Sequence, residues 1–309
     1  MDDFSLRPIS ELDSETLAQK MIRAAYSENQ FQEVLTDFWF NHFNIDASQN
    51  DVRPYVYSYE RDAIRSNVFG NFSDMLEATA KHPGMLFYLD NGLSTAGSGV
   101  ETTVSFHMEN LSQTTRKRDL PKSARSLLNN SGRGLNENYA RELMELHTLG
   151  VDAFNNINGY TQKDVQEVAR AFTGWTLKNA EYMSVRAMKD SIWPYGRISW
   201  HYEYRDSDHD SGPKTFLVET GNFNGGDIVR IISKQRAADD FISRHLYDFF
   251  VADEVPVPQW PYTPPRDPQA IKILSDAYIA NDHDLTEVLR VLLKSDFFRE
   301  ARFERVKCP

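Results

Sequence analysis

Asn136-Glu-Asn-Tyr-Ala-Arg-Glu-Leu-Met-Glu-Leu-His-Thr-Leu-Gly150 is the stretch on which the fold turns. Asn136 is a good N-cap residue, and the acid Glu137 suits the positive end of a helix. Gly150 stands where a left-handed C-cap fits. At about 100° per residue, Asn138, Arg141, Glu142 and Glu145 fall on one stripe. Tyr139, Ala140, Leu143, Met144, Leu146 and His147 make the broader opposite face. A second helix follows, with Thr161 as its cap and Asp164 three residues on, an aspartate version of the capping box. Its core stripe is Val165, Val168, Ala169, Phe172 and Trp175, and Gly174 ends it. Lys163, Glu167 and Arg170 are explained by surface pairing.

Outward from this pair, the same spacing predicts further helices. Ser10 can cap one whose apolar positions include Leu12, Leu17, Met21 and Ile22. A second runs from about Gln30 to Phe43, Pro54 opens a third over 55–69, and Asn71 or Ser73 caps a fourth that ends before Pro83. Met85-Leu-Phe-Tyr-Leu89 is apolar all round and reads as buried. Later helices are expected over 226–233, 236–251, 268–280 and 285–294, with a Pro-rich connector at 256–268. Residues 92–135 break the pattern and read as a long irregular loop. Within it Arg116, Lys117, Arg118, Lys122, Arg125 and Arg133 face one acid, Asp119, which fits a solvated tract or an anion-binding patch. The β signal is confined to Trp200, Tyr202 and Tyr204 alternating with His201 and Glu203, then Thr215-Phe-Leu-Val218 after a polar turn. The expected fold is therefore mainly α: a single multi-helix domain over 1–309 with a small β-hairpin insertion near 198–218. No internal repeat is found.

Composition narrows the function classes. Of 309 residues 40% are hydrophobic and 26% charged, which suits a folded globular chain. The net charge of -11 argues against duplex nucleic acid as the default partner, since phosphate binding draws on basic surface. The single cysteine, Cys308, excludes an internal disulfide and a multi-cysteine zinc or iron–sulfur centre. Neither a signal-peptide pattern at Met1 nor a membrane-length apolar run is present, so the chain as written reads as soluble. No GxSxG, Walker loop, GxGxxG after a strand or HExxH occurs.

The candidate chemistry lies in three places. Glu142-Leu-Met-Glu145-Leu-His147 suggests a carboxylate–histidine metal site. One-helix ligands must sit three or four residues apart, and His147 is two from Glu145 and five from Glu142, so it points inward as a core histidine. Glu142 and Glu145 could share a site with Asn138 and Arg141, or form a salt-bridged stripe with pairs worth roughly 0.3–0.5 kcal/mol each. His209-Asp210 sits in the polar turn Asp206-Ser-Asp-His-Asp-Ser-Gly212 beside Lys214, where histidine adds nothing to turn formation and can serve a ligand or metal. His42 after Phe38-Trp-Phe reads as a structural histidine held by aromatic packing with one hydrogen bond, or as a ligand. Asp90, closing a buried run, could cap a helix or line a pocket.

The run Asn136–Gly150, with Gly159-Tyr-Thr-Gln162 and Asp164 through Thr173-Gly-Trp-Thr176, resembles the central signature of the bacterial family DUF1800. Phe38-Trp-Phe-Asn-His-Phe43, Met85 to Asn91 and His209-Asp-Ser-Gly-Pro-Lys214 support it in order and spacing. The resemblance implies a mainly helical bacterial protein, often exported, whose partner could be a neighbour similar to sulfatases and phosphatases. It also implies upstream helices and an export signal, and further helices downstream, so a shortened form is the expectation. It supplies no reaction.

Two functions are open. One is a metal-assisted hydrolase or transferase on an anionic or carbohydrate polymer. Glu142, Glu145, His209 and Asp210 would move protons, Glu142, His209 and Asp210 would hold a divalent metal, and Asn138, Arg141 and Lys214 would bind the ligand. The other is a non-catalytic helical scaffold or partner of a cell-envelope enzyme.

Overall fold

A computed structural model describes residues 9–49, 51–96, 134–154, 159–179, 200–254 and 263–305. Most of the basic loop at 92–135 and much of the connector at 256–268 therefore lie outside the described residues. The chain divides into two compact units, one comprising 1–65, 78–139 and 169–212 and the other 66–77, 140–168 and 213–309.

In the first unit, α1 (Ile9–Tyr26) and α2 (Gln30–His42) lead into a continuous helical stretch. That stretch begins as a 3₁₀ turn at Arg53–Tyr55 with Pro54 in its first turn, passes through α3 (Val56–Ser58) and widens into a π-helix at Tyr59–Arg65. α4 (Phe72–Lys81), whose residues 72–77 belong to the second unit, is capped by Asn71, whose side chain accepts the Ser73 N–H at 2.9 Å, as its sequence suggests. α5 (Pro83–Tyr88) starts on His82, whose Nδ1 accepts from Gly84 N–H. Leu35, Trp39, Phe43, Tyr59, Met85 and Leu86 are buried here. In α1, by contrast, Leu17, Met21 and Ile22 are exposed, so its apolar stripe does not face this core.

The helix of the opening stretch is two structures in one. α6 (Asn138–Glu142) passes directly into a π-helix at Leu143–Thr148. Asn136 caps it as expected, its Oδ1 taking the Asn138 N–H at 2.9 Å. The π turn adds a residue per turn, so the 3.6-residue phase fails through its second half. Leu146 comes out 43% exposed rather than buried, while Thr148 is buried and donates to Leu143 O, five residues back. Tyr139, Ala140, Leu143, Met144 and His147 are buried as the opposite face requires. Gly150 has φ 90 and ψ 151, a glycine conformation, but outside the left-handed helical well the C-cap reading expects.

α7 (Gln162–Ala171) shows the expected capping box. Thr161 N–H donates to Asp164 Oδ2 at 2.8 Å and Asp164 N–H to Thr161 Oγ1 at 3.3 Å. Its stripe Val165, Val168, Ala169 and Phe172 is buried. Trp175 is buried too, but in a strand: after Gly174 the chain turns into β1 (Trp175–Asn179).

The small β content is present with different partners. β2 (Trp200–Tyr204) pairs antiparallel with β1, Trp175 opposite Tyr204. β3 (Lys214–Phe216) pairs with β4 (Glu219–Gly221). The alternation of Trp200, Tyr202 and Tyr204 marks a strand but says nothing about which edge it pairs with, and the nearest apolar run was not the partner. In the second unit α8 (Gly225–Ile232), α9 (Arg236–Phe250), α10 (Pro268–Ala280) and α11 (Leu285–Lys294) lie within one or two residues of expectation, and α12 (Asp296–Glu300) is an addition. Ile228, Ile232, Ile242, Leu246, Leu274, Leu285, Val288 and Leu292 are buried in it. Among the described residues no helix is long and apolar enough to cross a membrane.

Candidate functional site

In the first unit, backbone and side-chain hydrogen bonds draw four of the motif segments together. Asn136 is the strut: its N–H donates to Ser94 Oγ at 3.1 Å and its amide to Asp90 O at 3.3 Å. Ser94 and Gly134 form a bridge, and Thr95 N–H donates to Gly134 O. Thr176 Oγ1 donates to Gly92 O at 2.7 Å, and Ala96 N–H to Asp208 O at 2.9 Å. Segments 90–96, 134–138, 173–176 and 205–212 therefore meet at one junction.

Thr173 and Gly174 organise its centre. Thr173 is fully buried; its hydroxyl donates to Arg170 O at 2.6 Å and accepts Asp210 N–H at 2.8 Å. Gly174 has φ 80, and a Cβ there would lie 2.6 Å from Arg205 O and 3.1 Å from His209 Cβ. The turn lets the His209 ring reach back, and its Nδ1 stands 2.9 Å from the Thr173 carbonyl. A carbonyl only accepts, so Nδ1 carries the proton and Nε2 of the neutral ring presents a lone pair. No partner of Nε2 is found among the described residues, and the residue is partly exposed.

Asp210 does a different job from the one its sequence position suggests. Oδ2 accepts from Arg170 Nε at 2.7 Å, and Oδ1 from Arg170 Nη2 at 3.1 Å and Gly212 N–H at 2.9 Å. Both oxygens are thus engaged in a fork-on-fork pair that holds the turn. Arg170 is then no surface residue, and the sequence reading missed it, along with Thr173. The available signal was spacing: Arg170 precedes Thr173 by one helical turn inside the motif run. Asp90 takes left-handed angles, φ 58 and ψ 18. Desolvation where its carboxyl meets the protein raises its pKa, although the residue as a whole is exposed. Asn91 is 2% exposed, and both its amide atoms lack hydrogen-bond partners.

The other candidates divide between the units. Asn138 is exposed in the first unit. His42 there stacks among Phe38, Trp39 and Phe43, with ring centroids at 6.5, 5.3 and 4.7 Å, the aromatic packing expected of it. In the second unit Arg141 bonds Glu145 at 3.3 Å, the ordinary i, i+4 pair, and Gln162 at 3.0 Å. Glu142 is half-buried without an ion-pair or hydrogen-bond partner among the described residues. Partial burial raises its carboxyl, the neighbouring Glu145 raises it further, and Arg141 opposes. His147 is 5% exposed. Lys214 is 1% exposed, so its ammonium is not presented to a ligand in solvent as the anion-holding role requires. Among the described residues no three His, Cys, Asp or Glu side chains form a group able to hold a metal ion.

No curated protein and no solved structure matches the chain. The family described as "Protein of unknown function (DUF1800)" matches residues 5–309, essentially the whole length. The helix–turn–strand run through Gly174, the Asn136 strut and the His209 turn are thus the local structures that its signature segments build here, and the chain belongs to the DUF1800 family.

Proposed function

We propose that this protein is a hydrolase or transferase acting on an anionic or carbohydrate polymer, with His209 Nε2 as the atom that accepts and returns the proton. The observation that carries this reading is the 2.9 Å bond from His209 Nδ1 to the Thr173 carbonyl. It sets the tautomer and the ring orientation, the two properties a general base needs before its pKa matters. Arg170 and Asp210 act as positioning residues, since their mutual pair holds the turn from which His209 projects. A divalent metal on Nε2 would need further donors. The Asp210 oxygens are already engaged by Arg170 and the Gly212 N–H.

A second reading, the non-catalytic scaffold or partner of an envelope enzyme, is favoured by one observation. Asn136, Thr173, Arg170 and Asp210 spend hydrogen bonds on joining segments to each other. The two readings part on His209→Gln, assayed against chromogenic phosphoester, sulfate ester and glycoside substrates with the melting temperature recorded in parallel. Removing a general base should lower turnover by about 10²–10⁴-fold with Tm nearly unchanged. Unchanged turnover in the variant, or an inactive wild type whose variant unfolds, passes the claim to the scaffold. Metal analysis of the purified protein beside Glu142→Ala tests the cation: stoichiometric metal lost in that variant supports it, and a metal-free active enzyme removes it.

A further inference from the structure

The aromatic row of β2 ends in a residue that packing does not explain. Trp200, Tyr202 and Tyr204 share one face of the strand. Trp200 packs edge-on against Phe87 at 6.0 Å, and Tyr202 against Trp175 at 5.4 Å. Lys81 lies over the Trp175 and Tyr202 rings at 5.3 and 5.4 Å. Tyr204 is 41% exposed, and its ring neighbour is His209, at 5.7 Å between centroids. Desolvation first, and then the charge of the nearby exposed Asp206, raises its phenol.

Charge around the ring selects among ligands. Arg205 pairs with Asp208 at 3.5 Å and Arg170 with Asp210 at 2.7 Å. These two cations are matched to acids, Lys81 is engaged with the Trp175 and Tyr202 rings, and Asp206 adds exposed negative charge. A sulfated or phosphorylated chain would meet that charge unfavourably. An uncharged sugar ring would not: its C–H face suits the electron-rich face of an aromatic ring, and its hydroxyls can donate to carboxylates and to His209 Nε2.

Resting on the reading of His209 as the proton-moving group, we propose that Tyr204 is a stacking platform for a neutral sugar unit and that the substrate is an uncharged polysaccharide rather than a polyanion. The test is calorimetric binding of cellohexaose, hexa-N-acetylchitohexaose and mannohexaose, against a heparin hexasaccharide and polyphosphate, to the full chain. At least one neutral probe should bind more tightly than both anions. Tyr204→Ala should weaken that binding by about tenfold or more, while Tyr204→Phe, which keeps the ring, should stay within about threefold. His209→Gln should keep binding within a few-fold and lose turnover. Preference for the anionic probes, indifference to Tyr204→Ala, or no neutral probe bound at millimolar concentration overturns the proposal. A Tyr204 effect on binding beside a fully active His209→Gln leaves the platform standing and sinks the catalytic role of His209.

Discussion

Arg170 shows how one side chain fixes a neighbourhood it does not itself complete. Its guanidinium grips Asp210 through two nitrogens, and Asp210 in turn takes the Gly212 N–H, so three groups define the turn that carries His209. Both partners are more than two-thirds buried, at 27% and 20% side-chain exposure, so solvent screens the pair less than a surface bridge. Lysine at 170 would keep the charge and lose the fork. Arg170→Lys should therefore cost about 1–2 kcal/mol in chemical denaturation. It should also lower any His209-dependent turnover by more than its effect on stability explains. A variant as stable and active as wild type would show that the pair is incidental.

At the scale of elements, Asp164 joins two pieces that sequence treats as separate. Oδ2 closes the Thr161 capping box, while Oδ1 accepts the Leu217 N–H at 2.9 Å, at the tip of the β3–β4 hairpin where Leu217 has φ 54. Glu167, one turn on, accepts the Thr215 N–H at 3.1 Å. Thr161→Ala removes the hydroxyl half of the cap and should cost about 1 kcal/mol; Asp164→Ala removes the carboxylate half and the brace together and should cost about twice that. Equal losses in the two would mean that the hairpin bond contributes nothing. The contrast explains what the sequence could disclose. Capping boxes, helix stripes and a buried His147 are local, and they were legible. The β1–β2 pairing, Arg170 with Asp210 forty residues away, and the burial of Lys214 depend on distant partners that spacing does not encode. The π turn at Leu143–Thr148 is local too, yet residue type does not mark it, and the slip from a 3.6-residue phase shows only in the exposure of Leu146. Likewise the site residues His209 and Asp210 were found by residue type, but their division into proton-moving group and positioning group needed the Thr173 and Arg170 geometry.

Across the whole molecule, two half-buried histidines with desolvated rings set a sensitivity to acid. Burial, the leading cause in each case, lowers His82 and His245 from 6.5 to about 4, with the Arg244 charge also contributing at His245. They lie in different units, so each unit carries one such group. A histidine whose pKa is depressed by folding stabilises the native state fully above its unfolded value, and that stabilisation is lost as pH falls toward the folded value. The window is thus pH 6.5 down to about 4. Each group supplies up to about 3 kcal/mol across it. Glu33 and Asp62, whose pKa values are lowered, give up stability only below their ordinary values of 4.5 and 3.8, beneath most of that window. Asp90, Glu142, Asp208 and Asp239 are raised by desolvation and oppose the trend, since protonation relieves their burial. Two of these four, Asp90 and Glu142, are not fully enclosed, which limits their share, and the histidines carry the large shifts and should dominate. Urea midpoints should fall from pH 7 to pH 5, ahead of general carboxylate titration. His82→Asn keeps an acceptor for the Gly84 N–H while removing the titration, and should flatten the profile by about half; adding His245→Gln should flatten most of the remainder. A profile as steep in the double variant as in wild type would assign the acid sensitivity to the carboxylates instead.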